Sequence, residues 1–274
     1  MPKKHLYIDA DMLVYTMGYA TESKLTWADG SVSKVGSLAD AKRIIQRSIT
    51  HYLKTLKCLD FTLVMSGKGN WRFDIFPQYK ANRVVLVKPI YYNDIRKWLK
   101  SRPDCVETEG EEADDYLARV ATTDKAAIIV SADKDFHTVP GQYYHLSSKR
   151  LYRPDPAQTV CFLLFQALSG DLVDGYSGVK WLGKAKTMRL LKAFHKQTIR
   201  ATYLGIKRQV LKRGGRSEWL KFRVCLDLAS LTWKGETGGL GVGLRRIWKL
   251  RGEPFTYRLP YYDVAHNLKY GKPR

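Results

Sequence analysis

Three short apolar runs, Leu6-Tyr7-Ile8, residues 61–65 and residues 126–130, each stop abruptly at acids or at small polar residues. Runs of three to five residues are too short for buried helices and fit buried strands. Between them lie stretches with helical periodicity. Residues 37–58 place Ile44, Ile45, Ile49, Tyr52, Leu53 and Leu56 on one face, with Ser37 and Asp40 set as a capping box. Residues 90–100 and 110–121 read as two more helices, the second headed by acids, and residues 143–147 as a further strand. Strands alternating with helices predict a parallel α/β sheet. Residues 66–89 break the alternation, being basic, aromatic and poor in aliphatic periodicity, which predicts a long functional loop or arch.

In an open parallel sheet, ligands bind beyond the carboxyl ends of the strands. Asp9, Asp133 and Asp135 all fall just past an expected strand, so they should converge although distant in sequence. They belong to four tight acidic clusters: Asp9 with Asp11; Glu112 with Asp114 and Asp115; Asp133 with Asp135; Asp171 with Asp174. Singly, each has an ordinary explanation, such as a turn or a carboxylate at a helix N-terminus. Jointly on one rim they need cations, since two carboxylates about 4 Å apart repel by roughly 4 kcal/mol at an effective dielectric near 20. A set made only of oxygen donors suits hard ions such as Mg²⁺ or Mn²⁺. Two such ions a few ångströms apart can stabilise both the attacking and the leaving oxygen of a phosphodiester.

Charge supports a polyanionic partner. The formal net charge is +21, and residues 175–274 hold 23 Lys and Arg against only 5 Asp and Glu. Such an asymmetry favours nucleic acid over a membrane. The four cysteines, Cys58, Cys105, Cys161 and Cys225, form no C-x-x-C pair, which argues against a disulfide framework or a zinc knuckle. Two acids interrupt the apolar start of the chain, so no signal peptide is expected, and no run approaches the length of a membrane span.

Four motifs, in order, resemble the 5′-nuclease family of flap endonucleases and phage 5′→3′ exonucleases, particularly the stand-alone exonucleases of short-tailed phages. They are Ile8-Asp9-Ala10-Asp11; Asn70-Trp71-Arg72 leading into Tyr79-Lys80-Ala81-Asn82-Arg83; Gly110-Glu111-Glu112-Ala113-Asp114-Asp115 with Ser131-Ala132-Asp133-Lys134-Asp135-Phe136; and Gly170-Asp171 through Gly183-Lys184, a helix–three-turn–helix signature. The resemblance implies a PIN-like parallel-sheet nuclease core over residues 1–155 with its arch at about 66–89. A helical DNA-binding portion then covers residues 156–274, with the helix–three-turn–helix at about 166–194 and a basic tail.

The resemblance also implies roles. Asp9, Glu112, Asp114 and Asp133 match a first metal position, Asp135, Asp171 and Asp174 a second, and Asp11 and Asp115 complete the acidic set. Lys80 and Arg83 match arch residues acting on the scissile phosphate. Tyr79 matches an aromatic that stacks on a terminal base, and Arg72 a further substrate contact. Gly175, Gly178 and Gly183, with Lys184 and Lys186, match a turn gripping a duplex backbone, which in relatives also takes a K⁺ ion. Relatives carry another aspartate after the second strand, where this chain has Met65-Ser66-Gly67-Lys68-Gly69. Two readings follow: Asp11 supplies the missing oxygen, or the first ion binds more weakly. The implied partners are duplex DNA with a 5′ end, flaps and RNA–DNA hybrids, alongside phage replication proteins in the cytoplasm of an infected host. A PIN-type endoribonuclease and a catalytically impaired DNA-binding protein are the alternatives.

Overall fold

The computed structural model of the chain describes residues 4–85, 87–233 and 236–249. Six strands form one sheet in the order β5 (Cys105–Glu107), β4 (Asp60–Met65), β1 (His5–Asp9), β6 (Ala127–Ser131), β7 (Gln142–His145), β8 (Arg150–Tyr152). The first five are parallel, and β8 returns antiparallel to β7. In register, Ile8 lies opposite Leu63 on one side and Val130 on the other. Alternate residues face opposite sides of a strand. Accordingly Leu6, Ile8, Leu63 and Val130 join helices α1 (Ala10–Ala20), α2 (Leu38–Leu56) and α4 (Tyr92–Lys100) in one core. Val64 and Ile129 face the other way, onto α5 (Ala113–Thr123).

The local signals act mostly as read. Ser37 Oγ accepts from the Asp40 amide at 3.1 Å and starts α2, but Asp40 pairs with Arg43 in place of closing a box. A hairpin, β2 (Glu22–Thr26) with β3 (Val32–Gly36), was not foreseen. None of its positions is buried, so it carries no inward apolar stripe. The segment expected as a long loop or arch holds two short pieces, α3 (Arg72–Ile75) and a 3-10 turn at Ala81–Val85.

Helix α6 (Pro156–Ser169) begins where it does because Asp155 and Gln158 form a reciprocal capping box and Pro156 occupies the first turn. It is the centre of a second core shared with α7 (Lys184–Ala193), α8 (Ile199–Leu228) and α9 (Val242–Lys249). Helix α8 divides into two arms at Gly215 (φ 67°, ψ −162°). The first part of the stretch after residue 235 packs against the second core as a small extra layer. Val242 and Ile247 of α9 are buried, Asp227 accepts from the amides of Gly241 and Gly243, and α9 is a packed element. Residues 250–274 of the expected tail lie outside the described residues. All four cysteines are free, and among the described residues no helix is long and apolar enough to cross a membrane.

Candidate metal centre

The sheet order changes direction at β1: the chain moves from β1 to β4 and β5 on one side, then crosses to β6 on the other. Such a switch point is where a crevice opens at the carboxyl ends of the strands. Asp9 ends β1 and caps α1, accepting from the Met12 amide at 3.0 Å and from Ser131 Oγ, at the end of β6, at 2.9 Å. Two residues later Asp133 caps the 3-10 turn Lys134–Thr138 by accepting from the Asp135 amide at 2.8 Å. Glu112 is the N-cap of α5, and Asp114 lies in its first turn. Asp9, Asp11, Glu112, Asp114 and Asp133 line one cavity of about 530 Å³, together with Lys80, Arg83, Lys88 and Arg96.

Beside it is a second group. One oxygen each from Asp135, Asp171 and Asp174 lie within 4.8 Å of one another. Lys134 Nζ contacts Asp135 at 2.9 Å and Asp171 at 2.5 Å, and Gln166 Nε2 donates to Asp135 at 2.6 Å. Lys80 joins the two groups, pairing with Glu112 and lying 3.8 Å from Asp174. Arg83 contacts Asp174 at 2.6 Å. The segment bearing Lys80 is tied down here by its backbone as well, since the Lys80 amide donates to the Asp174 carbonyl at 2.9 Å.

These carboxylates carry more negative charge than their lysines and arginines balance. Burial, then Asp11, pushes Asp9 up to about 6. Burial, then Asp135, pushes Asp133 up to about 7. Asp114 lies well above the ordinary carboxylate range through burial and then repulsion from Asp9 and Asp133. An all-oxygen donor set under this strain fits hard divalent ions: Asp9, Glu112, Asp114 and Asp133 for one, Asp135, Asp171 and Asp174 for another.

A pH dependence follows. Folded-state values above the unfolded ones mean that the native chain binds more protons, so stability without divalent ions falls as pH rises from about 4 through 7. Melting curves in chelator are expected to show this decline, and Mg²⁺ is expected to reverse it near pH 8. A chelated protein that gains stability over this range would contradict the assignment.

Several expected site residues take other positions. Asp115 is fully buried and receives both Arg72 Nη atoms, at 2.7 and 2.9 Å, plus the Thr232 amide at 3.2 Å. Burial raises its pKa, yet Arg72 holds it below the usual range. It anchors α5 to the chain after α8 and does not face the cavity. Arg72 is 1% exposed and also donates to the carbonyls of Leu228 and Ser230, so it is a structural clamp and not a substrate contact. Tyr79 is 3% exposed, with its hydroxyl on Glu112 and Asp174 at 3.1 Å, which leaves no free face for a base. Asp11 accepts from the Ser66 amide at 2.8 Å and pairs with Arg96. It therefore reaches the stretch where the extra acid is missing, but as the partner of an arginine.

In the turn between α6 and α7, Gly170–Asp171 pairs antiparallel with Tyr176–Ser177. Gly175 takes φ 76°, and a Cβ on Gly178 would lie 2.2 Å from the Leu168 carbonyl oxygen, so both positions require glycine. Gly183 caps α7 without such crowding, and Lys184 and Lys186 are exposed on its first turn. Sequence reasoning quoted Lys134 within its motif without giving it a role, although a lysine between two acids was a visible signal. It missed Gln166 altogether, the single amide inside the apolar run of α6 and only 3% exposed.

Residues 4–158 match the family described as 5′-3′ exonuclease, N-terminal resolvase-like domain, which is more than half of the chain. The chain belongs to this 5′-3′ exonuclease family. The exonuclease of Escherichia phage T7 is 30% identical over 190 residues, covering 65% of this chain and 63% of the relative. The exodeoxyribonuclease of Enterobacteria phage T3 gives the same identity and coverage. The chain thus spans a little under two thirds of the length of both phage relatives. A flap endonuclease of Vibrio vulnificus is 31% identical over 108 residues, or 36% of this chain and 41% of that protein. Among solved structures, the T5 5′-exonuclease with bound zinc matches with a TM-score of 0.61 and 18% identity, covering 91% of this chain and 99% of that one. A bacteriophage T5 flap endonuclease complexed with DNA and metal ions matches at 0.58 and 17%, covering 91% and 98%. At these identities the structures establish a common fold, that of a mostly parallel α/β nuclease domain with a helical C-terminal portion.

Proposed function

We propose that this member of the 5′-3′ exonuclease family is a divalent-metal-dependent 5′ nuclease that hydrolyses phosphodiesters near the 5′ ends of duplex DNA and flaps. The observation that carries this reading is the placement of two acidic groups side by side at one sheet switch point, bridged by Lys80 from the arch. Mg²⁺ or Mn²⁺ held there would supply the positive charge that activates water and stabilises the departing oxygen. Lys80 and Arg83 sit over these carboxylates in the absence of substrate; a phosphate entering the cavity would draw them off to hold its non-bridging oxygens.

The basic second half would carry the duplex. The turn from Gly175 to Gly183, with Lys184 and Lys186, is proposed as a helix–three-turn–helix that grips the backbone through main-chain amides and lysines, with room for a K⁺ ion on its carbonyls. Residues 1–155 would then be the catalytic unit and the helical remainder the binding unit. RNA–DNA hybrids are a proposed further substrate. Phage replication, recombination or host DNA breakdown, in the cytoplasm of the infected cell and alongside phage replication proteins, is the proposed setting.

The test is a panel of 5′- and 3′-labelled duplex, flap, hybrid and structured RNA, with and without Mg²⁺ or Mn²⁺. Label release from the 5′ end of DNA only with the ion supports the reading; cleavage of RNA alone, or DNA binding without cleavage, overturns it. Binding to duplex in the presence of Ca²⁺ is expected to weaken by about 10³-fold between roughly 50 and 200 mM salt, if about six phosphates are contacted. A flat response in a filter-binding titration would remove the basic half from the interface.

A further inference from the structure

Helix α9 lies outside the segment matched to the family, yet it reaches the turn that carries two of the acids. Arg246 on α9 is fully buried. Its Nη2 donates to the Thr138 carbonyl and its Nη1 to Thr138 Oγ1 at 3.5 Å. Thr138 Oγ1 donates in turn to the Asp135 carbonyl at 2.7 Å. The arginine is thus two bonds from the backbone of an acid in the second group, at the C-terminal end of a turn whose N-terminal end is capped by Asp133.

The rest of α9 explains why this contact is held firmly. Asp227 of α8 receives the amides of Gly241 and Gly243 at 2.8 and 2.9 Å, fixing the start of the helix. A Cβ on Gly243 would lie 2.4 Å from the Leu226 carbonyl oxygen, so the two helices meet at backbone distance. The guanidinium of Arg246 stacks 4.2 Å from the centre of the Trp233 ring. Its Nε finds no partner. Packing alone would be served better by an apolar side chain, because a buried charge is costly to desolvate even when partly bonded. What the arginine adds is its bonds to Thr138 and its attraction to the buried carboxylate of Glu236.

We propose that Arg246 is a positioning residue. Through Thr138 it fixes the turn that presents Asp133 and Asp135, so that ion binding at the Asp135, Asp171 and Asp174 group depends on the docking of α9. This inference rests on the metal reading given above.

The test is Mn²⁺ titration of the full chain followed by electron paramagnetic resonance, with wild type, Arg246→Lys, Arg246→Met and Thr138→Val. Thr138→Val keeps the arginine and the shape of the site but deletes the hydroxyl link. Arg246→Met and Thr138→Val are each expected to weaken the affinity of one Mn²⁺ at least tenfold, with Arg246→Lys in between. In cleavage assays the loss should appear in kcat at low Mn²⁺ and shrink as Mn²⁺ is raised, with KM for DNA unchanged. Folded variants that bind Mn²⁺ like wild type overturn the proposal. If Arg246→Met fails to fold, wild-type affinity in Thr138→Val overturns it equally. A wild-type chain that takes up no Mn²⁺ would instead refute the metal reading itself, and this proposal with it.

Discussion

Asp133→Asn is expected to abolish metal-dependent cleavage while DNA binding stays intact or tightens. Asp133 lies half-buried among the acids of the main cavity and leads directly into the turn bearing Asp135, so it stands between the two groups. The amide is nearly isosteric and can keep the capping bond to the Asp135 amide, which preserves the turn. It removes one negative charge from the donor set and with it affinity for a hard ion. Charge stabilisation by such an ion is worth several kcal/mol, and each 1.36 kcal/mol is tenfold in rate, so single-turnover cleavage should fall by about 10³-fold or more. Equilibrium binding should not fall, because a phosphate meets one repulsive carboxylate fewer. Turnover within a few-fold of wild type would remove Asp133 from the site.

The second large effect concerns the arch. Lys80→Ala is expected to slow cleavage by about 10²–10³-fold, the scale of losing one preorganised donor to a developing charge. Affinity for DNA should change much less, since one lost phosphate contact among several is a small part of the electrostatic binding. Backbone strain does not confuse the comparison. Lys80 adopts φ 54°, and alanine keeps the same Cβ there, so the cost of that conformation is unchanged. The Lys80 amide also keeps its bond to the Asp174 carbonyl. Equal losses in rate and affinity would make Lys80 an anchor and nothing more.

The strands and main helices were legible because their signals are local. Apolar runs ending at Asp9 and Ser131 mark β1 and β6, and a capped periodic stretch marks α2. The convergence of Asp9 and Asp133 was also legible, since a parallel sheet brings the carboxyl ends of its strands to one side whatever lies between them. What could not be read was how individual polar side chains divide their bonds. Asp114 and Asp115 are adjacent in sequence, yet helical geometry turns them about 100° apart. One faces the cavity and the other meets Arg72. Arg72 and Tyr79 look like exposed arch residues because the segment is basic and aromatic. The burial of Arg72 depends on the end of α8 and the chain beyond it, through Leu228 and Ser230, 156 and 158 residues away, and the Tyr79 hydroxyl is held by Glu112 and Asp174. Helix α9 cannot be told from a tail in the sequence because its glycines and arginines are loop-like in composition. Only the packed structure supplies Asp227 and Thr138 as partners for them.

The central claim is that separate acidic clusters form one centre for divalent ions. The most direct measurement is an anomalous difference map from crystals of the protein soaked in Mn²⁺. The account predicts two peaks, one among Asp9, Glu112, Asp114 and Asp133 and one among Asp135, Asp171 and Asp174, with Lys134 displaced from the second group. A map with no peak at these carboxylates, or with manganese bound only elsewhere, would contradict it.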